Sequence, residues 1–204
     1  MGGVQYIDKR WVNRNMTPHA DKTRDWQFFG VPIDRTTKTL HISNIAIKAD
    51  TRWKDRVLGQ LRSYEKIAPH YDRTMALVAE RLEGDESNLS KFLELTIRKT
   101  AQHLFIETST HAQSQMGLNL GAIEHPGQWA LRISEQMNAN EYINPVGGSA
   151  LFKIREFQES KIKLSFLQTS ISPYFQQRNS IIDTTIRNYL GDLPKMPTSD
   201  FRLV

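Results

Sequence analysis

The sequence predicts an α/β fold: a mixed or mostly parallel sheet flanked by helices, with a helical middle section, in a single domain over residues 1–204. Three observations lead there. Aromatic or alternating apolar stretches stand near both ends of the chain, around residues 26–32 and 162–166. The strongest helical period lies between them, at residues 88–104. After it a strand, a glycine turn, a helix and another strand follow one another without a linker or repeat.

Taken in order, Trp26-Gln27-Phe28-Phe29-Gly30-Val31-Pro32 predicts a strand closing at Pro32, because proline cannot donate to an interior ladder. Residues 40–47 alternate at both ends but shift parity at Ser43 and Asn44, which predicts a bulged strand. Asp50 or Thr51 then caps a helix with Val57, Leu58, Leu61 and Tyr64 on its apolar stripe. A second helix follows Pro69, with Met75, Val78 and Leu82 inward, and Gly84 ends it. In the third, Leu89, Phe92, Leu93, Ile97, Ala101 and Leu104 keep the helical period, and Ser87 or Asn88 caps the start. Residues 103–108 read as a short buried strand and residues 113–127 as a polar loop. A helix over residues 129–138 leads to a strand at Tyr142, the turn Gly147-Gly148-Ser149, and a helix with Leu151, Ile154 and Phe157 on one face. Ile162, Leu164 and Phe166 alternate with Lys161, Lys163 and Ser165 as in a half-buried strand. A last helix carries Ile181, Ile182, Ile186 and Tyr189, and stops near Gly191.

Composition excludes several classes. Hydrophobic residues at 39% and charged residues at 24% of 204 are ordinary globular usage. The absence of cysteine rules out a disulfide scaffold, a thiolate zinc site and a cysteine nucleophile. No apolar run reaches the ~18 residues of a membrane helix, and the polar start is no secretory signal, so a soluble cytoplasmic protein is expected. Residues 1–56 hold 11 Lys and Arg against 6 Asp and Glu, while the rest is balanced at 16 of each. Such a basic opening attracts an anionic small molecule, or else forms a solvated face. No zinc-finger, homeodomain or RNA-recognition signature argues for nucleic acid.

The best local motif is the passage from Tyr142 through Gly147, Gly148 and Ser149 into the next helix. A strand, two glycines and a helix start expose backbone N–H groups to an anion, and the Ser149 hydroxyl adds a donor. An ordinary strand-to-helix turn uses glycine in the same place for positive φ. The six histidines show no metal-ligand spacing, so no metal is expected and the cofactor stays open. His70 opens a helix beside Pro69 and Tyr71, and Asp183 sits among isoleucines on a helix; each is a candidate base.

Several segments together resemble the WbqC-like proteins of surface-polysaccharide gene clusters. They are Val4-Gln5-Tyr6-Ile7-Asp8-Lys9-Arg10-Trp11-Val12-Asn13-Arg14-Asn15; Val31-Pro32 after an aromatic strand; Tyr142 with Gly147-Gly148-Ser149; Tyr174 with Gln176; and Ser180-Ile181-Ile182-Asp183 with Asn188 and Gly191. The resemblance runs from Val4 to Gly191. It implies O-antigen assembly, and a glycine or other acyl-group transferase acting on a nucleotide- or lipid-linked amino sugar. It implies substrate contacts at Gln5, Tyr6, Lys9, Arg10, Trp11, Asn13, Arg14, Asn15, Gly147, Gly148, Ser149, Tyr174 and Gln176, with Asp183 or His70 as the base. Arginine grips phosphate bidentately and asparagine reads hydroxyls, which suits a diphosphate-linked sugar. Trp11 stacks on a base or sugar face, or else belongs to the core. Arg10, Arg14, Gly147 and Ser149 are expected around one pocket. The rival reading is a non-catalytic protein that binds a nucleotide-sugar or a partner, or an inactive shortened member.

One departure stands out. Members of that family open with a further strand, a glutamine–aromatic–proline–tryptophan stretch and an acidic pair, where this sequence has Met1-Gly2-Gly3. The resemblance thus implies an unfilled sheet edge near Val4 to Tyr6, beside residues 26–31 or 162–166, and association of copies through it.

Overall fold

The aromatic segment after the basic opening pairs back on that opening. In the computed structural model, which describes residues 6, 12–19, 23, 26–34, 41–49, 52–66, 71–170 and 200–203, β1 (Arg14–Pro18) and β2 (Trp26–Gly30) form an antiparallel ribbon. Arg14 pairs with Gly30 and Met16 with Phe28. A Cβ on Gly30 would stand 2.4 Å from the Asn13 carbonyl oxygen and 2.9 Å from Arg14 Cα, so only glycine lets the strands meet here.

Beyond the ribbon, the parity break at Ser43 and Asn44 is a 3₁₀ turn over Ile42–Asn44, not a bulge in a strand. The apolar residues on either side make single bridges instead, Ile47 to Ile33 and Ala46 to Asn88. Three helices follow: α1 (Trp53–Leu61), α2 (Tyr71–Leu82) and α3 (Leu89–His103). Trp53, Val57, Leu61 and Tyr64 recur at helical spacing and are all buried. They share a core with Tyr6, Val31, Ile45, Leu89 and Phe92, where Trp53 and Phe92 meet edge to face at 5.7 Å. Asn88 caps α3 as expected, its side chain accepting from the Lys91 N–H at 3.1 Å. Asp50 and Thr51 lie outside the described residues, and the N-cap position of α1 falls to Arg52, whose side chain makes no capping bond.

The expected stripe of α3 drifts off course. Leu89, Phe92 and Leu93 face the core, but Ile97 is 62% exposed. The inward face continues instead through Thr96 and Thr100, which lie at the same helical spacing from Leu93. The expected buried strand at residues 103–108 is also absent. Phe105 takes φ 56° and is 91% exposed. Its N–H bonds Gln102 O, and the Ile106 N–H bonds Ala101 O, which is the Schellman way to end a helix.

By chain contacts the described residues fall into two compact units, one reaching Ser109 and the other starting at Thr110 and including the last strand. In the second unit, α4 (Pro126–Gln136) precedes β3 (Glu141–Pro145), α5 (Ile154–Glu159) and β4 (Lys163–Ser170). β3 and β4 run parallel, joined by the crossover that parallel pairing needs. β5 (Asp200–Leu203) adds antiparallel to β4, giving the sheet order β3-β4-β5 and a mixed α/β architecture. Phe157, Leu131 and Ile162 make this unit's core, with Tyr142, Phe152 and Leu164 packed against them. As the central strand, β4 is paired along both edges. Ser165 is as buried as Ile162, although the alternation places it outward, and its hydroxyl donates to Glu141 of β3. Leu151 and Ile154, expected inward beside Phe157, are 51% and 59% exposed. α5 is only six residues long and begins after both the glycine turn and Leu151.

Candidate functional site

The first unit holds a partly open cavity of about 400 Å³. Its floor comes from the chain just ahead of and within the ribbon, where Asn13, Arg14 and Asn15 meet Phe29, Gly30 and Val31. Its walls come from the three helices, through Trp53 and Val57 of α1, Met75 and Val78 of α2, and Leu93, Thr96 and Thr100 of α3. The pattern follows from the packing. The three helices and the two-stranded ribbon leave this space between them.

Asn13 is locked in place. Its Oδ1 accepts from the Tyr6 hydroxyl at 2.7 Å, and its Nδ2 donates to Val31 O at 2.9 Å. Its own carbonyl accepts from Val31 N–H at 2.8 Å. Arg14 sets its guanidinium 5.0 Å from the centre of the Phe28 ring, a cation–π contact. Asn15 accepts from the Met16 N–H at 2.8 Å. Gln27 and Gln60 pin β2 to α1 by donating to Gln60 O and Phe28 O respectively. The described walls carry no Asp, Glu, His or Lys; Arg14 lines them too, but its guanidinium lies over Phe28, which is not part of the lining.

Of the residues singled out by sequence, Tyr6, Asn13, Arg14 and Asn15 are thus brought together in the first unit. Gly147, Gly148 and Ser149 belong to the second. There they lie in a 3₁₀ turn over Val146–Leu151, not at the start of an α-helix, and neither glycine has positive φ. The dipole argument for an anion at that turn therefore loses its helix. The end of the turn packs on α4 instead: a Cβ on Gly127 would stand 2.2 Å from Leu151 O. Gln5, Lys9, Arg10, Trp11, His70, Tyr174, Gln176 and Asp183 lie outside the described residues.

Sequence reasoning missed two features. Thr96 and Thr100 line the cavity, and no pattern distinguishes them from solvent-facing threonines. The other is a set of three carboxylates in the second unit, each held by its own partners. His125 Nε2 lies 2.8 and 3.0 Å from the two Glu156 oxygens, with Lys153 Nζ at 3.4 Å, and so ties the start of α4 to α5. Burial pushes Glu156 up, but the hydrogen bonds from His125 and Lys153 outweigh it and hold the carboxyl below its ordinary range. Glu135 is lowered chiefly by the Ser160 hydroxyl at 2.6 Å, and Glu141 by the buried Ser165 hydroxyl at 2.6 Å and then by Lys163. Carboxyls lowered by folding stabilise the fold above their unfolded pKa, and that contribution is lost as pH falls through the folded pKa. The second unit should therefore lose stability in acid, below the ordinary glutamate range. In urea titrations at stepped pH, Glu141→Gln should flatten the decline. An identical acid limb in the variant would contradict this. No group of three or more His, Cys, Asp or Glu among the described residues could hold a metal ion. No helix among them is long and apolar enough to cross a membrane.

A family model described as the WbqC-like protein family matches residues 1–187 of the chain. No curated protein and no solved structure matches it.

Proposed function

The chain belongs to the WbqC-like protein family, and from that membership we propose that it is a transferase in surface-polysaccharide (O-antigen) assembly, passing a glycyl or other acyl group to the amine of a nucleotide- or lipid-linked sugar. The observation that supports the reading is that Asn13, Arg14 and Asn15 stand together along one side of a pocket of about 400 Å³. Arginine there receives a phosphate oxygen pair, and an amide reads a sugar hydroxyl. In the transfer, the sugar nitrogen bonds to the acyl carbon and the bond from that carbon to its carrier breaks. The amine proton passes through a base, Asp183 or His70, to the leaving atom. The second reading, a protein that binds a nucleotide-sugar or a partner without catalysis, is favoured by one fact: the described cavity walls hold no basic side chain able to take that proton.

Thermal shift tests the reading. A nucleotide-linked amino sugar at about a hundred times its Kd should stabilise the fold by ~2.7 kcal/mol. Arg14→Ala should weaken that ligand by more than the ~1 kcal/mol of an exposed ion pair. Mass spectrometry of the sugar after incubation with acyl donors then separates transfer from binding. Stabilisation by oligonucleotides but by no sugar nucleotide would remove the proposal.

A further inference from the structure

We infer that Asn15 is the residue that reads the ligand in the first unit's cavity: its side-chain NH₂ donates to the carbonyl oxygen of an uncharged acyl group. This rests on reading the cavity as the transferase's site and names the part of the substrate that enters it, the acyl end and not the sugar ring.

The strand register decides which way the motif residues face. Across the ribbon, Asn15 pairs with Phe29, Met16 with Phe28 and Arg14 with Gly30. Residues directly opposed in an antiparallel pair share a face. Phe29 lines the cavity and packs against the first unit's core, whereas Phe28 is 52% exposed. Asn15 therefore stands on the inward face with Phe29. Arg14 stands on the other, where its guanidinium lies over the Phe28 ring.

The end of the Asn15 amide that is left over is the donor. Its Oδ1 accepts from the Met16 N–H at 2.8 Å. A backbone N–H only donates, so the oxygen is held on that side and the NH₂ is what remains. No hydrogen bond among the described residues engages it. Neighbouring polar side chains are spent. Asn13 is engaged at both ends of its amide, and the hydroxyls of Thr96 and Thr100 donate to Leu93 O at 2.9 Å and Thr96 O at 2.7 Å.

The walls around this donor select what can meet it. Val57, Met75, Val78 and Leu93 offer carbon and sulfur, and the described lining holds no Asp, Glu, His or Lys. A sugar ring would carry several hydroxyls into a space that pairs few of them, at the cost of desolvating the rest. A charged group would find no opposite charge there. An acyl group brings alkyl carbon for the walls and one acceptor oxygen for the NH₂, which is the combination the lining satisfies.

The experiment is a nuclear magnetic resonance titration of the full ¹⁵N-labelled chain with four small probes: N-methylbutanamide, its thioamide isostere N-methylbutanethioamide, butanoate and butylammonium. The amide should shift the Asn15 side-chain NH₂ signals, which are identified by their loss in Asn15→Leu. Sulfur is the weaker acceptor, so the thioamide should bind about fivefold more weakly than the amide. Butanoate and butylammonium should both bind more weakly than the amide. In Asn15→Leu the margin between amide and thioamide should vanish. Asn15→Asp keeps an oxygen for the Met16 N–H but sets a second acceptor against the carbonyl, so it should weaken the amide about tenfold or more. Unmoved Asn15 signals, equal binding of amide and thioamide, a charged probe that binds as tightly as the amide, or unchanged amide binding in Asn15→Asp overturns the inference. If Asn15→Leu does not fold, Asn15→Asp identifies the signals and the remaining comparisons decide. Amide binding through Asn15 without any binding of a nucleotide-linked amino sugar keeps this inference and removes the transferase reading. Sugar-nucleotide binding that leaves the Asn15 signals unmoved by the amide does the reverse.

Discussion

Phe157→Ala is expected to lower the stability of the second unit by about 4 kcal/mol, the usual range for emptying a buried phenylalanine site. Phe157 is 1% exposed and stands at the junction of that unit's layers. Its ring stacks on Tyr142 of β3 at 5.9 Å and meets Phe152 edge to face at 5.9 Å. Leu131 of α4 and Ile162, just ahead of β4, belong to the same cluster. Truncation removes the transfer free energy of the ring, leaves a void that a parallel strand pair cannot close over, and dissolves two aromatic pairs worth roughly 0.5–1.5 kcal/mol each. Against a net stability of ~5–15 kcal/mol for a typical domain, the loss is large. Urea unfolding followed by the near-ultraviolet signal should show a lower midpoint. Hydrogen exchange should quicken at the amides of β3 and β4 while those of α3 in the other unit stay protected. A loss below ~1 kcal/mol would mean that this aromatic cluster is not packed as described.

Gly30→Ala is expected to cost the first unit about 3 kcal/mol, at the upper end of overpacking effects. The added methyl would meet the Asn13 carbonyl oxygen at 2.4 Å and Arg14 Cα at 2.9 Å, and both are backbone atoms with no rotamer to escape into. The strands must part, which breaks the Val31 N–H to Asn13 O bond and the pairing of Arg14 with Gly30. The same displacement moves the cavity floor, so ligand binding should fall with stability. Exchange at β1 and β2 amides, together with a sugar-nucleotide titration, reads both effects. Full stability and full binding in the alanine variant would show that β1 does not lie against Gly30.

The same close approach shows what was legible and what was not. A glycine inside an aromatic strand is visible in the sequence, but the partner that makes it necessary lies sixteen residues earlier, and no local pattern names it. The candidate site divides in the same way. Asn13, Arg14 and Asn15 belong to a motif visible in the sequence and line one cavity, whereas Gly147 and Ser149, expected beside Arg14, belong to the other unit. Thr96 and Thr100 give no such signal, because threonine on a helix carries no sign of which way it faces. The apolar residue Ile97, which does carry such a sign, turned out to point the other way.

By itself the sequence determined the elements that local physics controls. Helical periodicity placed α2 and α3 within a residue or two, and α1 except for its last turn, which closes as a 3₁₀ turn over Arg62–Tyr64; the Asn88 cap followed from a side chain that satisfies an orphan N–H of its own first turn. Pro32 marked the close of the aromatic strand because its ring removes a donor. Tertiary structure alone decided which faces are covered. Ser165 is buried because β4 lies between two strands and its hydroxyl finds Glu141 on the neighbouring one. Phe105 is exposed because Schellman bonds to Ala101 and Gln102 outweigh the pull of an apolar run toward the core. The cavity exists because three helices and a ribbon, each well formed, leave space where they converge. Burial and pairing are properties of residues far apart along the chain, and propensity, period and capping reach only a few residues.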